Sequence, residues 1–209
     1  MLSEIAFGSL LTYSPRGTAE VSERSRLVCS KVKSGHPATL LRVGEVLQEH
    51  TAPNGALAAF FAGDVTLVPM PRSAPLVAGA LWPAQRICQA IVQRQIAART
   101  ATILKREVAV QKSAWAPAGA RPGVSTHYAS MSAEADFEVG ERIVIVDDVV
   151  TKGSTALAAA SRIAEIYPDR EVAIFALIRT KGLVPDIDQI IEPVSGIIRL
   201  IDDEGSRNP

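Results

Sequence analysis

The sequence predicts an α/β fold, doubly wound around a mainly parallel central sheet with a small variable hood, and three observations carry the sheet. Residues 142–147 contain Ile143-Val144-Ile145-Val146, an apolar run without alternation, as expected of a strand covered on both faces. Residues 154–167 follow after a short connection, rich in Ala with Leu157, Ile163 and Ile166, and read as a helix. Residues 172–178 form another all-apolar run, so strand, helix and strand make one βαβ unit.

The remaining elements are read in chain order. Residues 4–13 suit a strand, stopped by the turn cluster Ser14-Pro15-Arg16-Gly17. Val21, Val28 and Val32 set helical spacing over 21–33, with Gly35 as its stop. Pro37 sits where a first-turn proline belongs, ahead of an apolar stripe through Leu40, Leu41, Val43, Val46 and Leu47. Val65, Leu67 and Val68 predict a short buried strand over 64–69. Residues 76–98 read as mostly helical with a kink at Pro83. A short strand over 102–104 leads into 106–132, where Pro117, Gly119, Pro122 and Gly123 interrupt any regular pattern. A stretch of that kind is expected to be a functional loop or disordered. Residues 190–201 suggest one or two short strands before a frayed polar end.

Composition bounds the function. The 209 residues carry 22 Lys+Arg and 22 Asp+Glu, a formal net charge of +0, so no bulk basic face for nucleic acid or anionic lipid is expected. With 47% hydrophobic residues a sizeable core is available. Cys29 and Cys88 are too few for a disulfide framework and are expected as reduced, buried, small apolar residues. The first residues lack the pattern of a signal peptide, and the longest apolar stretch, 74–84, is about half the ~20 residues of a membrane span and holds two prolines. A cytoplasmic protein without a membrane partner is the expectation.

The most informative segment runs Val146-Asp147-Asp148-Val149-Val150-Thr151-Lys152-Gly153-Ser154-Thr155. It puts two acids at the carboxyl end of a buried strand, then a small-residue loop, then a helix start, the place where open α/β sheets bind ligands. The helix N-terminus offers unpaired N–H groups and positive partial charge, and Gly153 allows close backbone approach. Thr151, Ser154 and Thr155 add hydroxyls for a phosphate monoester. Asp147 and Asp148 can accept hydrogen bonds from vicinal hydroxyls, directly or through a metal. Phosphate and diol a few residues apart describe a ribose 5-phosphate. The competing reading is an ordinary strand-to-helix turn capped by Ser154 or Thr155. A P-loop is excluded, because no G-x-x-x-x-G-K-[ST] occurs in the chain.

This segment resembles the signature of type I phosphoribosyltransferases, which bind phosphoribosyl pyrophosphate (PRPP), and Lys152 occupies a permissive position. Within that family, Leu67-Val68-Pro69-Met70-Pro71-Arg72-Ser73 is most similar to the competence-associated ComF proteins. The resemblance spans about residues 64–182, leaving 1–63 and 183–209 as flanking and hood elements of one domain. It implies a core of five parallel strands, a Mg2+ ion carried by PRPP, and a hood over the acceptor. It also implies that Arg72 and Ser73 contact pyrophosphate, and that a mobile loop over 105–132 supplies cations, with Lys105, Arg106, Lys112 and Arg121 as candidates. His127, with neither metal-ligand spacing nor a nucleophile partner, reads as a bystander, and Trp115 as a loop contact or an apolar anchor. Arg179-Thr180-Lys181-Gly182 is either an acceptor contact or a charged strand end.

The implied reaction displaces pyrophosphate from Mg-PRPP by a nitrogen acceptor, a base or base-like amine, with Asp147, Asp148, Arg72 and Arg106 as its catalytic candidates. A homodimer is a further expectation. Two other classes compete: a non-catalytic PRPP or nucleotide sensor, and a DNA-uptake accessory protein, the latter unsupported by the charge balance.

Overall fold

A computed structural model describes residues 1–111 and 122–208. Lys112, Trp115 and Arg121 lie outside the described residues. The apolar runs become the strands β1 (Glu4–Tyr13), β2 (Val65–Pro69), β6 (Arg142–Val150) and β7 (Glu171–Thr180). They pair in parallel, β2 with β6, β6 with β7 and β7 with β1. A two-residue strand β3 (Arg99–Thr100) adds a fifth parallel member beside β2. An antiparallel hairpin, β8 (Ile191–Ile201) and β9 (Glu204–Asn208), completes the order β3-β2-β6-β7-β1-β8-β9. The fold is therefore α/β around a mainly parallel seven-stranded sheet. β1 lies inside that sheet, so the expectation that residues 1–63 only flank a core of 64–182 is revised.

Alternation along β6 divides the core between two faces. Ile143 and Ile145 pack under α5 (Ser154–Ile166) with Leu157 and Ile163. Val144 and Val146 face the opposite layer, α1 (Glu20–Lys33), α2 (Pro37–Thr51) and α3 (Pro83–Gln93), through Val32, Leu47, Ile87 and Ile91. Cys29 and Cys88 are free and buried in this second layer, as expected. Among the described residues no helix is long and apolar enough to cross a membrane.

Four element expectations need correction. Pro83 does not kink a long helix; it opens α3 as its first residue, where its missing N–H and fixed φ cost least. The preceding residue is held by Trp82 Nε1, which donates to the Met70 carbonyl at 2.7 Å. The strand expected over 102–104 is split between β3 and β4 (Leu104–Arg106). The loop expected over 106–132 carries structure at both ends: β4 pairs antiparallel with β5 (Met131–Ala133), and α4 (Val124–Ala129) precedes β5. The polar tail is not frayed but returns as β9. Asp202 and Asp203 both take positive φ in the turn, the geometry a tight hairpin requires.

Candidate active site

Parallel pairing brings the ends of β2 and β6 together, so that Met70 N–H donates to the Val146 carbonyl at 2.8 Å. The two sequence segments singled out above, 70–73 and 147–155, thus meet at one edge of the sheet. Asp147 and Asp148 are successive residues near the carboxyl end of β6, and the pleat sends them to opposite faces. Asp147 lines a pocket with Thr151, Lys152, Thr155 and Glu204, and Pro122 stands at its rim. Asp148 falls on the Val144–Val146 face, where its charge helps raise the Cys29 thiol. Each carboxylate accepts the following residue's backbone N–H, Asp148 N to Asp147 Oδ1 and Val149 N to Asp148 Oδ1, both at 2.9 Å. Burial, and then the Asp148 carboxylate beside it, push Asp147 well above the usual carboxylate range.

The loop owes its shape to Gly153, which has φ +100° at the N-cap of α5. A Cβ there would also come within 2.6 Å of Ile198 Cγ2 on β8. No side chain caps α5, so the first turn presents backbone N–H groups toward the pocket. The hairpin closes over the loop from the other side. Gly205 N–H donates to Ser154 Oγ at 2.9 Å, and Gly205 lies so near that a Cβ would sit 2.5 Å from Ser154 N. Lys152 Nζ pairs with Glu204. Arg207 donates to the Thr151 carbonyl at 2.9 Å and to the Thr180 carbonyl at 2.7 Å. Burial, with Arg179 adding to it, lowers Arg207 to about 10.

The cations expected at the leaving group behave differently from one another. Arg72 is exposed and lines a second pocket with Trp82, Thr102 and Lys105. Ser73 is half-buried, and its carbonyl accepts from Val110 N at 2.8 Å. Lys105 Nζ pairs with Glu134 at 2.6 Å. Arg106 is buried, and its guanidinium donates to the Arg72 carbonyl at 3.0 Å, the His127 carbonyl at 3.4 Å and Ser130 Oγ at 2.5 Å. Burial pulls it down to about 10, with Asp147 acting the other way. Arg106 is therefore a staple between the 70–73 loop and α4 rather than a loop cation exposed to solvent.

Arg179 is likewise buried, donating to Ser9 Oγ and to the carbonyl and carboxylate of Glu192. The charged-strand-end alternative holds for it. Thr180 and Gly182 instead line a third pocket with Arg16, Asp202 and Arg207, which shares Thr151, Lys152 and Glu204 with the first. Sequence reasoning missed the contributions of Glu204, Gly205 and Arg207, which reach the loop only through the hairpin. It also missed His127, whose Nε2 lies 3.2 Å from Thr155 Oγ1. No local signal marks a pair 28 residues apart.

Comparison with known proteins adds little beyond this geometry. No protein-family model matches the sequence, and no curated protein matches it. Among solved structures, the chain is similar to adenine phosphoribosyltransferase from Leishmania tarentolae, at 17% identity and a TM-score of 0.33, over 70% of this chain and 73% of that one.

Proposed function

We propose that the chain binds ribose 5-phosphate compounds at residues 151–155 and transfers the phosphoribosyl group of PRPP to a nitrogen acceptor. One observation carries this reading: Asp147 opens onto the same pocket as an uncapped helix start whose glycine N-cap has φ +100°. The helix end suits the 5-phosphate and Asp147 suits the ribose hydroxyls, with Asp148 as the neighbouring charge. The acceptor nitrogen bonds to C1 as the C1–O bond to pyrophosphate breaks, through an oxocarbenium-like centre that needs positioning and leaving-group stabilisation rather than a protein nucleophile. Exposed Arg72 is assigned to the pyrophosphate, with Ser73 beside it and Arg106 positioning the loop through the Arg72 carbonyl. Lys112 and Arg121 are leaving-group candidates on sequence grounds. The third pocket, between Arg16 and Gly182, is the place for the acceptor.

Mg2+ fits the donor set. Carboxylate oxygens are the hard ligands it prefers, and the crowded pair at 147–148 would be relieved by a cation. Among the described residues no three His, Cys, Asp or Glu side chains converge to hold a metal, so Asp147 would hold the ion together with oxygens of PRPP. Bound there, it would neutralise the diphosphate as it leaves.

The test is pyrophosphate release from Mg-PRPP in the presence of candidate bases, alongside thermal shifts with ribose 5-phosphate. Ligand at 100 Kd is expected to add about 2.7 kcal/mol of stability. No shift with either ligand overturns the reading. A second reading, binding without turnover, is favoured by the commitment of Arg106 and Lys105 to protein partners, and would give shifts without pyrophosphate.

A further inference from the structure

We infer that His127 is a positioning residue that fixes the Thr155 hydroxyl as a donor, making the 151–155 loop selective for a ligand group that only accepts hydrogen bonds, such as a phosphate dianion. This rests on the proposed function for the identity of the ligand, though not for the state of the ring. A threonine hydroxyl has one proton and two lone pairs. If His127 Nε2 were a bare acceptor, Thr155 would give its proton to the ring and turn lone pairs toward the pocket, repelling an anion. If Nε2–H donates, the Thr155 proton is left for the ligand.

Two observations select the second arrangement. His127 is 4% exposed, and among the described residues its buried Nδ1 has no hydrogen-bond partner. A stranded lone pair is better tolerated inside a protein than a stranded N–H, so Nδ1 is bare and the proton sits on Nε2. The neighbouring hydroxyl repeats the device: Ser154 Oγ accepts from Gly205 N–H at 2.9 Å, which likewise frees its single proton. Ser154 and Thr155 are thus both loaded from behind by a protein donor.

The backbone turn that carries His127 is fixed at three points. Arg106 donates to the His127 carbonyl at 3.4 Å, Gly123 accepts the His127 N–H at 3.2 Å, and Asp203 accepts from Ser125 N and Oγ at 2.8 and 2.6 Å. Asp203 and Arg106 are the charged groups acting on the imidazole. Burial and Arg106 hold it down to about 4 against Asp203, so it stays neutral across the working range.

The ring state is read by two-bond 15N–1H correlation on the 15N-histidine-labelled full chain, with His127 identified by its loss in His127→Gln. The expected result is the Nε2–H tautomer, without titration between pH 5 and 8. An Nδ1–H tautomer, or titration near 6.5, overturns the inference. For function, ribose 5-phosphate is titrated into the wild type, His127→Leu and His127→Gln. Leu removes the donor and is expected to weaken binding about tenfold, whereas the Gln amide, which can replace Nε2–H, restores it to within about threefold. Leu binding as tightly as wild type overturns the inference. Failure of the wild type itself to bind overturns the proposed function, leaving the tautomer measurement to decide the state of His127.

Discussion

The two ends of the candidate site are built on opposite plans. At residues 151–155 the polar groups remain open to a ligand: the first turn of α5 has no side-chain cap, Ser154 Oγ accepts from Gly205 N–H, and Thr155 Oγ1 lies 3.2 Å from His127 Nε2. At residues 70–73 and 105–106 the cations already have work within the fold. Arg106 is buried against three acceptors and Lys105 is paired, which leaves Arg72, among the described residues, as the cation of the second pocket that is neither buried nor in a salt bridge. Under the proposed function, the first end would take a phosphate as it stands. The second end gains further positive charge only by breaking contacts, or from residues beyond those described. Under the proposed function, binding and turnover would therefore depend on separate parts of the molecule, and substitutions should separate them.

The largest expected effect comes from Gly153→Ala. Holding Ala at φ +100° costs about 1–3 kcal/mol. Overlap with Ile198 adds about 1–3 kcal/mol, since the Cβ would stand 2.6 Å from Cγ2. Ribose 5-phosphate binding should be lost as well, because the helix start must shift. Chemical denaturation and ligand titration measure the two losses, and intact binding would mean that the loop does not hold the phosphate. At the other end, Arg106→Ala strands buried acceptors and is expected to destabilise by about 2–4 kcal/mol. Arg72→Ala should leave the melting temperature within experimental error, yet weaken PRPP about tenfold without touching ribose 5-phosphate, which lacks the pyrophosphate. Equal losses for both ligands would remove Arg72 from the leaving-group site.

These contrasts also explain what the sequence made legible. The acidic pair, the loop and the helix start are contiguous, and their chemistry is local, so residues 147–155 could be read directly. The apolar runs of β1, β2, β6 and β7 were equally plain, because burial on both faces leaves no alternation to misread. Arg106 was read as a loop cation because its acceptors at Arg72, His127 and Ser130 come from elsewhere in the chain. The strand expected over 190–201 is β8, but the hairpin's second strand, β9, was missed for a related reason. Glu204-Gly205-Ser206-Arg207-Asn208 has the composition of a tail, and only its pairing with β8 and the loop makes it a strand.

A smaller effect, opposite in sign, is expected from Asp147→Asn. The folded state holds Asp147 above its ordinary value, near 4, so ionising it costs stability. That cost is absent below the ordinary value and develops as pH rises from about 4 through the raised value. Apo Asp147→Asn should therefore melt higher than wild type at pH 7 and alike at low pH, by about 2–4 °C for each kcal/mol recovered. Ribose 5-phosphate binding should fall sharply in the same variant. Asp148→Asn, altering the opposite face, should give a smaller loss of binding. Equal losses would mean that the ligand reaches both carboxylates and that the pleat does not separate their roles.

The smallest effect tests whether the hairpin only covers the loop or also competes with its ligand. Lys152 and Glu204 are paired in the lining of the pocket at the start of α5, with side chains 51% and 46% exposed. An ion pair that open to solvent contributes about 0–1 kcal/mol, so Glu204→Gln should change stability by no more than that. Its effect on binding should have the other sign, because the substitution removes a negative charge from the proposed phosphate site and releases Lys152 toward it. The expected gain in ribose 5-phosphate affinity is about two- to threefold in low salt, shrinking as salt shortens the Debye length toward about 8 Å at physiological ionic strength. Lys152→Ala removes the cation and should weaken binding slightly, while the double variant should fall between the two. Glu204→Gln binding more weakly than wild type would show instead that the pair holds the hairpin, and with it Gly205, against Ser154.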